Sequence, residues 1–92
     1  MRVKAARATI EIPWDSREAL LGRLRAEGAD ALVRAFEAVG TSRPVPLGKA
    51  GARVLLGVVE RWHDEQRAQL PAAIIELRDA LIDERDAGLL EE

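Results

Sequence analysis

One short segment near the start of the sequence constrains the fold more than any other, because its residues alternate strictly between polar and apolar. The two faces that this alternation creates carry Arg7, Thr9 and Glu11 on one side and Ala8, Ile10 and Ile12 on the other. Period-two alternation with β-branched residues, closed by Pro13, predicts one β-strand over residues 7–12. A lone strand cannot satisfy its own backbone hydrogen bonds, so it must pair with another strand in this chain or in a second copy.

The candidate partner within the chain is the segment at residues 43–47. Pro44 and Pro46 occupy alternate positions there, which excludes a helix over residues 41–47 and holds the backbone extended. Prolines are tolerated in an edge strand but not in a central one. Two alternatives therefore remain open: residues 7–12 pair with residues 43–47, or they pair with a second chain.

Helical periodicity accounts for most of the remaining sequence. We expect a first helix over residues 16–27, opened by an Asp15–Glu18 capping box and closed by Gly28. A second is capped by Asp30 and ended by Gly40, a third covers residues 49–66, and a fourth starts near Pro71, which suits a first-turn position. The predicted fold class is mainly α: a small four-helix domain with a short N-terminal β-strand. Residues 1–92 are expected to form one domain, with residues 1–6 and 88–92 frayed.

The expected core is aliphatic, because the only aromatic residues are Trp14, Phe36 and Trp62. The inward positions predicted on the first three helices are Leu20, Leu21, Leu24, Leu32, Val33, Phe36, Val39, Val54, Leu55, Val58, Val59 and Trp62. On the fourth helix an apolar stripe recurs at 4-3-4 spacing, flanked by Ile75 and Ile82, and is broader than one partner helix needs. Core and interface both remain open for this stripe, and the candidate interface residues are Ile10, Ile12, Leu70, Ile74, Leu77 and Leu81.

The sequence offers little for catalysis or metal binding. There is no cysteine, which excludes disulfides, thiol nucleophiles and thiolate metal sites. The single histidine, His63, has Glu60 and Arg67 at helical spacing, not a second histidine. Gly48-Lys49 fails the phosphate-loop pattern, because Ala50 stands where a hydroxyl is required. The carboxylates of Asp79 and Asp83 share a helix face, but nothing else converges on them. We expect no catalytic residues, cofactor or metal, and no enzymatic activity.

Charge and hydropathy point to a small protein of the bacterial cytoplasm. The longest apolar stretch, residues 54–59, is far too short to cross a membrane, and no signal peptide is expected. Basic residues are almost all arginine and alanine is abundant, as in GC-rich bacterial genomes. The formal net charge is −2, yet residues 1–12 carry +2 and residues 76–92 carry −5. These ends are either solvated or able to meet a partner.

These observations favour a protein-interaction module, a regulator or accessory subunit that binds itself, as a homodimer, or another protein. The supporting features are the strand without an assigned partner, the broad apolar stripe and the acidic end. The recognition mode would be strand addition or helix packing.

The alternative is a DNA-binding protein. Residues 7–39 read strand, proline, helix, glycine, helix, an order that resembles the ribbon-helix-helix family of small bacterial repressors and antitoxins. The resemblance implies that strands from two chains pair into a ribbon whose outward side chains enter the DNA major groove. Arg7, Thr9 and Glu11 would be those side chains, and Ile10 and Ile12 would anchor the ribbon.

Overall fold

The computed structural model describes residues 1–39 and 43–91, which form four α-helices packed on a small sheet. The elements in chain order are β1 (Arg2–Lys4), β2 (Thr9–Glu11), α1 (Trp14–Ala26), α2 (Asp30–Val39), β3 (Val45–Pro46), α3 (Gly48–Gln66), a 3-10 turn (Arg67–Gln69) and α4 (Ala72–Asp86). The predicted mainly α class is confirmed. Gly40, expected to end the second helix, and Thr41 and Ser42 of the extended segment lie outside the described residues.

The sheet has three strands in the order β2-β1-β3, so the pairing expected for residues 7–12 is corrected. β1 and β2 form an antiparallel hairpin in which Val3 lies opposite Ile10. β3 pairs in parallel with β1, not with β2, and places Val45 beside Val3. Residues 1–6, expected to fray, thus supply the central strand. β1 is only three residues long, too short for its alternation to stand out in the sequence.

The starts of α1, α2 and α4 differ from the sequence prediction, and α2 already includes its expected cap Asp30. α1 begins at Trp14, directly after Pro13, and no side chain caps it, so the Asp15–Glu18 capping box is wrong. The carbonyl of Pro13 accepts from the Arg17 amide instead. Pro71 precedes the first turn of α4 and does not lie inside it. The predicted break at Gly28 is confirmed, since its φ of 75° is a left-handed conformation that favours glycine.

The core lies between the sheet and the helices and is aliphatic, as expected. Its largest fully buried side chains include Phe36 of α2, Ile12 directly after β2, and leucines and an isoleucine from α1, α3 and α4. One inward prediction is wrong, because Val54 on α3 is 49% exposed. Leu56, two residues further along that helix, is buried instead.

An ion-pair cluster ties the end of α1 to α3. The Glu27 carboxylate accepts hydrogen bonds from Arg23 Nε at 2.6 Å and from Arg61 Nε at 2.8 Å. Arg23 also pairs with Glu65 of α3. Burial alone raises the pKa of Glu27, but the hydrogen bonds from Arg61 and Arg23 outweigh it and hold that pKa below its ordinary value. Desolvation likewise opposes the charge of Arg23, yet its two carboxylate partners raise its pKa.

Candidate interaction surface

The residues that the sequence suggested as an interface are all in the core of this chain. Their side chains are 9% exposed or less: Ile10, Ile12, Leu70, Ile74, Leu77 and Leu81. They pack against other residues of the same chain and offer little free surface to a partner. The apolar stripe of α4 is therefore core, and an interaction surface has to be sought among the exposed residues.

The outer edge of β2 is the clearest such surface. Two pairs at the ends of the hairpin fix which backbone groups face β1: Met1 with Ile12, bonded in both directions, and Ala5 donating to Ala8 at 2.9 Å. Bonded pairs alternate along an antiparallel ladder, so the N–H and C=O groups of Thr9 and Glu11 point away from β1. Both residues are exposed, and β2 pairs with no other strand of the described chain. This row of backbone groups is called the β2 edge below.

The opposite edge of the sheet is built differently. The amide of Leu47 donates to the carbonyl of Lys4, which sets the odd-numbered residues of this segment toward β1. The even-numbered positions therefore turn their nitrogens outward, and they are Pro44 and Pro46, which carry no N–H. Proline is a common means of blocking an edge strand. β3 is blocked in this way and β2 is not.

An exposed aromatic residue follows the β2 edge in the chain, at the start of α1. Trp14 follows Glu11 by three residues and is 58% exposed, the larger of the two exposed bulky hydrophobic residues in the described chain. The guanidinium of Arg17 lies 4.8 Å from the centre of its ring, in cation–π geometry. Tryptophan is enriched at protein interfaces, so this position extends the edge with apolar area.

The outer face of the sheet is charged. β1 contributes the exposed Arg2 and Lys4, and β2 contributes the exposed Thr9 and Glu11. The hairpin register sets Arg2 opposite Glu11 and Lys4 opposite Thr9. Arg7, the third suggested DNA contact, is exposed in the hairpin turn and does not belong to the strand. Thr9 and Glu11 thus lie on one strand, whereas Arg7 lies in the turn before it.

The hairpin turn is held by a residue that sequence analysis missed. Glu84 of α4 is only 5% exposed, and its carboxylate accepts hydrogen bonds from three successive backbone amides of the turn. The donors are Ala6 at 2.7 Å, Arg7 at 2.9 Å and Ala8 at 2.7 Å. A charged residue inside the apolar period of α4 was the available signal. Because the turn precedes β2 directly, this carboxylate positions the start of the β2 edge.

A second feature of the surface is an apolar groove of about 380 Å³ between the start of α2 and the first turns of α3. Leu32, Leu47 and the exposed Val54 line it, together with several alanines and glycines. Gly51 lies so close to Leu32 and Leu47 that a Cβ at this position would touch both side chains. Its polar lining is limited to Asp30, so nothing specifies an occupant.

The remaining candidate residues do not converge. His63 Nδ1 is buried without a hydrogen-bond partner and lies 4.0 Å from Asp64. Asp79 pairs with its neighbour Arg78 at 3.1 Å. Within residues 1–39 and 43–91, no group of three or more histidine, aspartate and glutamate side chains is placed to hold a metal ion. Among the helices of that same part of the chain, none is long and apolar enough to span a bilayer.

Comparison with protein-family models, with curated proteins and with solved structures gave no match for this chain. The function therefore has to be argued from the surface itself.

Proposed function

We propose that this chain is a small, non-enzymatic protein-interaction module of the bacterial cytoplasm, a regulator or accessory subunit that binds through strand addition at the β2 edge. The observation that carries the proposal is the contrast between the two edges of one sheet. Prolines block β3, whereas Thr9 and Glu11 leave two amides and two carbonyls open on β2. An extended segment of a partner gains main-chain hydrogen bonds at such an edge.

Trp14 adds a site for a side chain of the bound strand. Main-chain hydrogen bonds supply affinity but little selectivity, since every residue except proline offers them. An indole at the end of the edge contributes apolar area with a fixed position. Trp14 follows the edge closely in the chain, separated from Glu11 only by Ile12 and Pro13.

The test is a titration of the ¹⁵N-labelled chain with a blocked synthetic peptide of residues 7–13. We expect shift changes and slowed amide exchange at Thr9, Glu11 and Trp14. The matched control is the same peptide with proline in place of its threonine, which removes a donor and should not bind. No binding up to about 1 mM, the concentration that corresponds to roughly −4 kcal/mol, would refute the proposal. Shift changes centred on Val54 would instead show that the peptide binds in the apolar groove.

The alternative function is DNA binding by the outer face of the sheet, favoured by the exposed Arg2, Lys4 and Arg7. Its geometry differs from the two-chain ribbon of the ribbon-helix-helix family, because β1 of the same chain already occupies one edge of β2. DNA binding predicts an affinity that falls steeply between about 50 and 200 mM salt. Replacing Arg7 with alanine should then weaken DNA binding and leave peptide binding at the edge unchanged.

A further inference from the structure

Resting on the proposed function, we infer that the partner at the β2 edge is a second copy of this chain, paired antiparallel about a two-fold axis at Ile10. In this arrangement Thr9 of each protomer lies opposite Glu11 of the partner subunit. The two three-stranded sheets become one continuous sheet. The backbone groups, the outer-face side chains and Trp14 each support this register.

The backbone hydrogen bonds select the register. An axis at Ile10 pairs Thr9 with the partner's Glu11 twice and satisfies all the outward amides and carbonyls of both strands. An axis at Thr9 would require the Arg7 amide, which is already bound to Glu84 at 2.9 Å. An axis at Glu11 would set Thr9 against the partner's Pro13, which has no N–H, and would oppose two carboxylates. Of these three two-fold registers, the one at Ile10 is the complementary one.

The side chains on the outer face agree with it. The Thr9 hydroxyl can donate to the carboxylate of Glu11 of the partner subunit. On its other side that carboxylate has Arg2 of its own chain as cross-strand neighbour. Like charges nowhere lie directly opposite each other across the new pair, which is the arrangement that stabilises strand pairs. On the inner face, the 9%-exposed Ile10 meets its own copy and continues the apolar layer.

The proposed pairing brings the hairpin turn of the partner subunit close to the start of α1, where Trp14 is exposed. Residues on opposite strands have numbers that sum to 20, so Pro13 faces Arg7 of the partner subunit. The partner's hairpin turn therefore runs beside Trp14, whose indole is 58% exposed in the single chain. Pairing removes this apolar area from water at both ends of the two-fold ribbon.

The first test is light scattering on a sizing column over a range of concentrations. We expect twice the chain mass of 10.1 kDa at high concentration. Thr9→Pro should raise the dissociation constant at least about tenfold, because two intermolecular hydrogen bonds are lost. Thr9→Ala keeps the amide and is the matched control. A chain that stays monomeric up to about 1 mM overturns the inference.

Thr9→Glu keeps the test decisive if the proline variant fails to fold. Its new carboxylate lies beside Lys4 within the chain, so folding is retained or improved. Across the proposed axis it faces Glu11 of the partner subunit, and dimerisation should weaken roughly threefold or more. A dimer unaffected by Thr9→Glu and Thr9→Pro would be built on another surface and would overturn the inference.

The register itself can be read by cysteine pairing, since the chain has no cysteine of its own. A mixture of Thr9→Cys and Glu11→Cys chains should form a mixed disulfide faster than either variant alone forms a homodimer. Faster Thr9→Cys or Glu11→Cys homodimers would instead locate the axis at that residue and refute the register at Ile10. A chain that remains monomeric while its β2 edge binds the peptide of residues 7–13 would refute dimerisation of the folded chain and leave the proposed function standing.

Discussion

The carboxylate of Glu84 lies 2.7 Å from the backbone nitrogen of Ala8 and accepts a hydrogen bond from it, across a separation of 76 residues. The same side chain binds the amides of Ala6 and Arg7. Near its end, α4 thus fixes the turn between the first two strands. The orientation of the β2 edge consequently depends on a residue at the other end of the chain.

Replacing Glu84 with glutamine should lower the free energy of unfolding by about 2 kcal/mol. The amide group retains one acceptor oxygen and turns an NH₂ donor toward backbone N–H groups, which leaves buried donors without partners. Urea denaturation measures the loss. Asp83→Asn is the matched control on the exposed side of the same helix and should remain within about 0.5 kcal/mol of the parent. Equal effects of the two substitutions would show that the carboxylate does not hold the turn.

The Glu27 cluster should make part of the stability depend on pH. The pKa of Glu27 is lower in the folded chain than its ordinary value, so the ion pairs stabilise the fold fully above that value. This contribution disappears as the pH falls through the lowered pKa. Glu27→Gln should cost about 1 kcal/mol at neutral pH and progressively less as the pH falls through the lowered pKa of Glu27.

The measurement is the difference in unfolding free energy between parent and Glu27→Gln at each pH, because other carboxylates cancel in that difference. Glu37→Gln is the control, since its partner Arg25 is half exposed and the pair lies at the surface. A cost for Glu27→Gln that stays constant from neutral to acidic pH would contradict the ionic origin of the effect.

Leu77→Ala should lower the free energy of unfolding by about 2–5 kcal/mol, because Leu77 is fully buried and its removal leaves a cavity. Val54→Ala, on the exposed part of α3, should change it by less than about 0.5 kcal/mol. Thermal unfolding of both variants is the measurement. A small effect of Leu77→Ala on stability, combined with weakened self-association, would show that the apolar stripe of α4 is an interface and not part of the core.

Two glycines should respond to alanine in opposite directions. Gly22 lies within α1 with nothing near a new Cβ, so Gly22→Ala should stabilise the chain by up to about 1 kcal/mol. Gly28 has equally open surroundings but a φ of +75°, so Gly28→Ala should destabilise it by about 1 kcal/mol. Space is the same at both positions, so melting temperatures that shift in the same direction would contradict the assigned backbone conformations.

The helices could be predicted from sequence because each repeats its apolar period over several turns. The sheet could not, because β1 and β3 are too short to show a period. The alternation predicted a strand over residues 7–12, of which residues 9–11 form β2, and its need for a partner was correct, but the partner is the segment at residues 2–4. A parallel contact such as Val3 with Val45 leaves no local signal in the sequence.

In the candidate surface, too, the local features could be predicted from the sequence and those set by the tertiary fold could not. The alternation of residues 7–12 identified Thr9 and Glu11 as outward residues. Whether the strand's second edge is open depends on the sheet order, which is a property of the tertiary fold. Glu84 was missed because its place in the apolar period of α4 indicates burial but does not identify the three amides that it binds. Trp14 was missed because its exposure depends on how α1 leaves the sheet.

The prolines of β3 also limit how large an assembly can grow. Sheets that add strands at both edges extend without end into fibrils. Here the edge at Pro44 and Pro46 offers no donors, so each chain can extend the sheet on one side alone. A second copy paired at β2 occupies that side, and both outer edges of the combined sheet are then the β3 strands with their prolines. The sheet can therefore accept one partner strand, and assembly by strand addition stops at the dimer.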